Sequence, residues 1–280
     1  IQQVAKKKEI VLYCWRGGMR SKAMAELLNL AGIPSFRLTG GYKSFRKYVN
    51  HFFNDSFNYR FIVLYGLTGV GKSEIIDKLR ENNIPILDLE KIAMHRGSVF
   101  GGVGLDKQPS QKKFESTIFA ELNKYQQEQT IIVEGESRRI GKLIIPEQCF
   151  LSMQKGKGVL VYNSISSRVN RIMAEYTRGI NNNIQELEIS IQQLERRIGK
   201  SKVQYLINLL HTEKFEDVIE ELLVGYYDVL YHHPTEPSSK YDFCVNAGNI
   251  NEAVLELVNY VKELSSSKGG SNNGKDRGSP

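Results

Sequence analysis

The stretch Gly66-Leu67-Thr68-Gly69-Val70-Gly71-Lys72-Ser73 constrains this chain more than any other. It follows the apolar run Phe61 to Tyr65, which reads as a buried strand. It leads into Ser73 to Glu81, where Ile75, Ile76 and Leu79 share one helical face. Gly-x4-Gly-Lys-Ser between a strand and a helix is the phosphate-loop pattern. Gly66, Gly69 and Gly71 let the backbone wrap a di- or triphosphate. Lys72 neutralises it, and the Ser73 hydroxyl can hold Mg²⁺. A chance glycine-rich turn would lack the flanking strand and helix. The expected class is α/β with a parallel sheet.

Thr130 to Val133 reads as a second buried strand, ending in Glu134 and Glu136. A fold of this kind keeps a metal- or water-positioning carboxylate there. For either glutamate alone, an ordinary surface acid is an equal reading. Ser137-Arg138-Arg139-Ile140-Gly141 reads as a loop that supplies positive charge. Asp88 and Glu90 follow a strand beginning near Pro85, and His95 and Arg96 open the stretch His-Arg-Gly-Ser-Val-Phe-Gly. In kinases with this loop, that region handles the phosphoryl acceptor. A polar loop is the plainer reading.

Cys14 closes the apolar run Ile10 to Tyr13, and a helical pattern begins at Ser21. Between them lie Arg16, Gly17, Gly18 and Arg20. Inward N–H groups, the following helix end and two arginines would together stabilise a thiolate. A lone cysteine at a strand end is usually inert packing, but this setting reverses that preference. Cys-x5-Arg-Ser fits cysteine phosphatases, which bind phosphate, and rhodanese sulfurtransferases, which carry a persulfide. Common phosphatases have His before the nucleophile, where this chain has Tyr13. The stretch Phe36 to Tyr42 resembles the rhodanese ending: a short strand, a Gly-Gly turn, then a helix through Val49. Cys149 and Cys244 read as structural.

After a strand at Val159 to Tyr162, the chain is helical for a long way. Arg168 and Arg171 share a helix face, where kinase arginines reach phosphates. Asn181-Asn182-Asn183 is expected to break the helix. Ile184, Leu187, Ile191, Leu194 and Ile198 then form a narrow apolar seam that ends at Gly199. Val203, Leu206, Ile207 and Leu210 give a second face, so an antiparallel helical hairpin is expected. Arg196, Arg197, Lys200 and Lys202 sit near its tip. They read either as a salt-sensitive RNA-phosphate contact or as a solvated turn. Tyr205 could stack on a base or cap the hairpin core.

Net charge is +7 over 280 residues, compatible with RNA without requiring it. The cysteines and histidines show no zinc spacing, and no haem or flavin is expected. Three cysteines without a pairing pattern suit a reducing, cytoplasmic setting. No apolar run is long enough to span a bilayer. Residues 265–280 read as a low-complexity, disordered tail.

Taken together, these motifs resemble the bacterial tRNA 2-selenouridine synthases. The resemblance is carried by Cys-x-Arg-Gly-Gly-x-Arg-Ser, the phosphate loop, Asp-Leu-Glu, His-Arg-Gly-Ser-x-Phe-Gly and Glu-x-Glu-Ser-Arg-x-Ile-Gly. Gln108 to Gln111, Phe114-Glu115 and Tyr226-Tyr227-Asp228 add to it, and it runs from about Glu9 to about Val261. It implies the C-terminal half of a rhodanese-like domain over residues 1–53. A P-loop kinase-like parallel-sheet domain would follow over 59–264, with a helical hairpin insert at about 164–232. A rhodanese domain carries several strands and helices before its nucleophile, so its N-terminal half is expected to be missing from this chain. The remainder would then expose an apolar sheet edge.

The activity implied is replacement of sulfur by selenium in 2-thiouridine at a tRNA wobble position. The substrates implied are geranyl diphosphate, which S-geranylates the base, and selenophosphate. The partners implied are the anticodon arm of tRNA and an enzyme that produces selenophosphate. Cys14 matches the family's selenium-carrying cysteine, and the phosphate loop would hold the diphosphate of the geranyl donor. Two departures stand out: Gly135 lies where an acid is expected between the glutamates, and Val229 where proline is expected. Two other readings remain open: a sulfurtransferase coupled to an ATP-using RNA-modifying domain, and a fragment that binds tRNA or phosphate without turnover.

Overall fold

A computed structural model describes residues 10–55, 57–97, 105–125, 130–176 and 180–266. The chain divides into two compact units, Ile1–Phe57 and Asn58–Pro280.

In the first unit, β1 (Ile10–Leu12) and β2 (Ser35–Arg37) pair in parallel, with Val11 opposite Phe36. Helix α1 (Met19–Leu30) connects them, and α2 (Gly41–Asp55) follows. Val49, Phe52 and Phe53 of α2 are buried. The rings of Phe52 and Phe53 lie 5.8 and 5.9 Å from that of Phe57. The paired Val11 and Phe36 remain 56% and 57% exposed, so this two-stranded sheet carries uncovered apolar surface.

The second unit is built on a five-stranded parallel sheet in the order β4-β5-β3-β8-β9. Its strands are β3 (Arg60–Tyr65), β4 (Ile86–Leu87), β5 (Thr130–Glu134), β8 (Lys157–Tyr162) and β9 (Phe243–Asn246). β3 lies at the centre, so the loop after it emerges at the middle of the sheet's carboxyl edge, where open α/β sheets place ligands. Ile62 and Leu64 of β3 pack with Ile75, Ile76 and Leu79 of α3 (Lys72–Glu81). Ala253 and Leu257 of α13 (Ile250–Ser266) join the same core. Burial of these side chains anchors the loop between β3 and α3; trimming one such residue to alanine typically costs about 2–5 kcal/mol.

A second apolar cluster joins α7 (Ile165–Tyr176), α8 (Ile180–Gln193), α9 (Glu195–Ile198), α10 (Lys200–His211) and α11 (Phe215–Leu222). A π-helical turn, Leu223–Tyr227, completes it, and α12 (Asp228–Tyr231) follows. Ile191, Leu194, Leu206 and Leu210 are buried here, and Ile184, Leu187 and Ile198 pack against them.

Three expectations are corrected. Asn181 to Asn183 lie within α8, and the helical run is interrupted instead at Leu194 and at Gly199, whose φ is 83°. Arg139–Ile140 forms β6, antiparallel to β7 (Leu143–Ile144), rather than open loop. Gln111 holds that hairpin by donating to the Ile144 carbonyl at 2.7 Å and accepting its N–H at 2.9 Å. Helix α13 runs to Ser266, so the first residues assigned to the tail are helical; residues 267–280 lie outside the described set. Among the described residues, no helix is long and apolar enough to cross a membrane.

Candidate active site

The phosphate loop is braced from two sides. Lys72 opens α3, and its Nζ donates to the carbonyls of Gly66 at 2.8 Å and Leu67 at 3.4 Å. Gly66, Gly69 and Gly71 all take positive φ, which no ordinary side chain favours. From α7, Arg168 Nε donates to the Thr68 carbonyl and Arg171 Nη1 to the Val70 carbonyl, both at 2.8 Å. The shared face expected of these arginines is real, but their roles differ. Arg168 is 1% exposed, and its other two nitrogens hold Asp228 at 2.9 and 2.6 Å. It is a buried strut that ties the loop to Asp228. Arg171, 3.3 Å from Glu74, lines the open side of the loop.

Three carboxyl groups gather next to Lys72. Glu134 ends β5 and is buried, and its Oε2 accepts the Glu90 N–H at 3.3 Å. Burial first, then the neighbouring Glu90, pushes the Glu134 carboxyl well above the usual carboxylate range. Glu90 is raised to about 8, by burial and then by Glu136, with Lys72 pulling the other way. Burial also raises Glu136, again against Lys72. The third acid thus comes from α4 (Leu89–Ala93) rather than from position 135. A Cβ on Gly135 would stand 2.5 Å from the Tyr65 ring and 3.1 Å from the Leu64 carbonyl, so no acid fits there.

Lys72, Glu90 and Glu136 open on a chamber of about 530 Å³. One end carries Lys72, Ser73, Glu90, Arg96, Glu136 and Arg171. The other is walled by Ile172, Met173, Leu187, Ile191, Leu210 and Phe215, with Val218, Ile219, Leu222 and Leu223. Tyr231 and His233 also line it, and no motif had marked them. Burial raises the Tyr231 phenol to about 12, while burial and then Lys72 lower the His233 imidazole. Among the described residues, no cluster of three or more histidine, cysteine, aspartate or glutamate side chains is arranged for a metal. Ser73 lies in the chamber beside Lys72, where a phosphate-bound cation would be met.

Other residues singled out from the sequence lie away from this chamber. Asp88 caps α4 by accepting the Lys91 N–H at 2.9 Å and pairs with Arg80 at 2.8 Å. His95 accepts the Gly97 N–H at 3.2 Å, and burial followed by the Arg96 charge lowers its pKa. Ser137 donates to the Arg139 carbonyl, and Arg138 lies 3.7 Å from Glu147. Residues 98–101 of the His-Arg-Gly motif lie outside the described set.

In the first unit, the Gly18 N–H donates to Cys14 Sγ at 3.2 Å, and Ser21 Oγ lies 3.3 Å from it. The thiol is lowered to about 6, first by the Ser21 hydroxyl and then by the Ser21 backbone, with smaller help from Gly18 and Arg16 N–H groups against partial burial. The expected thiolate environment is present, but Ser21 leads it and the arginine side chains are exposed. The Tyr42 and Lys43 N–H groups bond the Cys14 and Trp15 carbonyls at 2.9 and 3.0 Å. A Cβ on Gly41 would stand 2.1 Å from the Cys14 carbonyl, so the Gly-Gly turn permits this approach. Cys149 is buried, and its thiol is pushed far up by desolvation. Cys244 exchanges weak bonds with Ser238.

The basic cluster divides in two. Arg197 donates to the Tyr226 hydroxyl, and Lys202 pairs with Glu221 and lies over the Tyr205 ring. Arg196 and Lys200 are exposed.

The family "tRNA 2-selenouridine synthase AAA domain" matches residues 59–264. A tRNA 2-selenouridine synthase of Nitrosomonas eutropha is 38% identical over 170 residues, covering 59% of this chain and 43% of that protein. One from Pseudomonas savastanoi pv. phaseolicola is 31% identical over 283 residues, covering 91% of this chain and 74% of that protein. The chain thus matches less than half the length of the Nitrosomonas relative. Among solved structures, shikimate kinase from Bacteroides thetaiotaomicron aligns at 16% identity over 74% of this chain and 98% of that one, with a TM-score of 0.34. A gluconokinase from Sinorhizobium meliloti aligns at 12% identity over 78% and 99%, with a TM-score of 0.36.

Proposed function

Because this chain belongs to the tRNA 2-selenouridine synthase family, we propose that it replaces the sulfur of 2-thiouridine at a tRNA wobble position by selenium, through an S-geranyl intermediate. The observation that carries this reading is the pairing of a low-pKa cysteine loop with a braced phosphate loop on a chain of this family. In the first step the thiouridine sulfur attacks C1 of geranyl diphosphate. The C1–O bond breaks, diphosphate leaves, and the base gives up its N3 proton. Lys72 and the loop N–H groups meet the charge that builds on the departing diphosphate, which lowers the barrier. Mg²⁺ would add charge there, and the Ser73 hydroxyl would hold it. In the second step the selenium of selenophosphate adds at C2, the C2–S bond breaks and geranylthiol leaves, and water cleaves the Se–P bond to release phosphate, with the Cys14 loop as the group that holds the selenium donor.

The first unit supplies the selenium step as a rhodanese-like half-domain, and the second supplies alkyl transfer as a P-loop domain. The exposed Arg196 and Lys200 at the helical hairpin contact tRNA phosphates. The test is to incubate the protein with 2-thiouridine tRNA, geranyl diphosphate and selenophosphate, without ATP, and to resolve the nucleosides by mass spectrometry. S-geranyl-2-thiouridine followed by 2-selenouridine is the expected result. Product that forms only when ATP is added would overturn the reading.

A further inference from the structure

We propose that Ile191 and Leu210 set the longest hydrocarbon chain the chamber accepts. The proposal rests on the reading above, in which the phosphate loop holds the diphosphate of an alkyl donor.

The apolar wall begins at the loop itself. A Cβ on Gly69 would stand 2.7 Å from Ile172 Cδ1, so this side chain of α7 lies directly against the loop. From there the helices pack on one another: α11 on α7, α10 on α11, and α8 on α10. Ile191 belongs to α8 and Leu210 to α10, the elements farthest along this order that still line the chamber. Both are packed in the helical core, 0% and 2% exposed, and back the apolar side of the chamber. Phe215, Ile219 and Leu222 of α11 form its flank. None of these side chains offers a hydrogen bond to a ribose or a base, so affinity on this side grows with apolar surface buried.

A chain that reaches from the loop to this wall gains on the order of fourfold in affinity per methylene buried. A longer one must displace close-packed side chains, which an interior resists. Removing methyl groups at the wall should therefore admit a longer chain, and adding bulk should exclude the present one.

The experiment measures dissociation constants by calorimetry for inorganic diphosphate and for dimethylallyl, geranyl and farnesyl diphosphate. Wild type should bind geranyl diphosphate at least about tenfold tighter than inorganic diphosphate, with no further gain for farnesyl. Leu210→Ala and Ile191→Ala should move the optimum to farnesyl diphosphate, and Leu210→Phe to the dimethylallyl compound. Equal affinity for all four in wild type would overturn the proposal without recourse to any variant, as would alanine variants that keep the wild-type order. Ile191→Val supplies a milder change should the alanine variants fail to fold, and the same shift in order is required of it. Lys72→Ala separates the two readings. If it weakens all four ligands while chain length has no effect, only the chamber proposal fails. If it weakens none, the diphosphate reading fails.

Discussion

The cysteine loop of the first unit and the phosphate loop of the second follow one plan: a strand end, a glycine-bearing turn and a helix N-terminus. Their backing differs. Behind Cys14 stands a two-stranded sheet whose paired Val11 and Phe36 are more than half exposed, and the loop is shaped by local bonds from Gly18, Ser21, Tyr42 and Lys43. Behind Lys72 stands the middle strand of a five-stranded sheet, with α7 clamped across the loop by Arg168 and Arg171. An anion loop can thus be shaped by its own turn or held by a core. The first arrangement tunes a thiol; the second fixes a cradle.

Changes that remove the clamp should have the largest effect on stability. Asp228→Ala leaves the buried Arg168 guanidinium without its carboxylate, which should cost about 3–5 kcal/mol in denaturant unfolding of the second unit. A loss under about 1 kcal/mol would show that the phosphate loop needs no such strut.

In the cysteine loop the corresponding change is small in energy but large in reactivity. Ser21→Ala removes the leading cause of the lowered thiol, so the midpoint of iodoacetamide alkylation at Cys14, located by peptide mass mapping, should rise from about 6 towards the ordinary thiol value. At pH 6 the rate should fall roughly tenfold or more. An unchanged midpoint would assign the effect to the backbone alone.

The carboxyl cluster gives the second unit a pH signature of its own. Glu90 ionises at about 8 in the folded chain and near 4.3 when unfolded. Between these values the folded state keeps a proton that the unfolded state has lost. The stability that Glu90 contributes is therefore full below about pH 4.3 and is lost as pH rises towards 8. Glu90→Gln should flatten that slope in melting curves from pH 5 to 9; a slope equal to wild type would remove Glu90 from the account.

The smallest effect is expected at the basic cluster. Arg196→Ala with Lys200→Ala should leave melting unchanged, since both side chains are exposed. It should weaken tRNA binding a few-fold and reduce its salt dependence by about the two charges removed. Unchanged affinity and salt slope would leave this surface without a role.

Both loops and the parallel strands beside them were legible in the sequence, because a strand–glycine–helix pattern is local and uses residues of restricted backbone freedom. The partners that decide how each loop works were not. Arg168 and Asp228 are 60 residues apart in sequence, and only the fold turns an expected phosphate ligand into a strut. Glu90 joins Glu134 and Glu136 from another element, while the packing of Tyr65 closes position 135 to any side chain. The arginines of the cysteine loop are the conspicuous charges, but the short hydroxyl of Ser21 is what reaches the sulfur. The apolar seam of α8 was readable as packing, whereas its second use as the end of a chamber depends on helices that meet only in three dimensions.

The central claim is a division of labour: the core-backed loop transfers the alkyl group and the cysteine loop delivers selenium. The most direct measurement is nucleoside mass spectrometry of 2-thiouridine tRNA treated with geranyl diphosphate and selenophosphate, using Lys72→Ala and Cys14→Ala in parallel. The account predicts no S-geranyl product with Lys72→Ala, and with Cys14→Ala an S-geranyl product that never proceeds to 2-selenouridine. Normal S-geranylation by Lys72→Ala, or 2-selenouridine from Cys14→Ala, would contradict it.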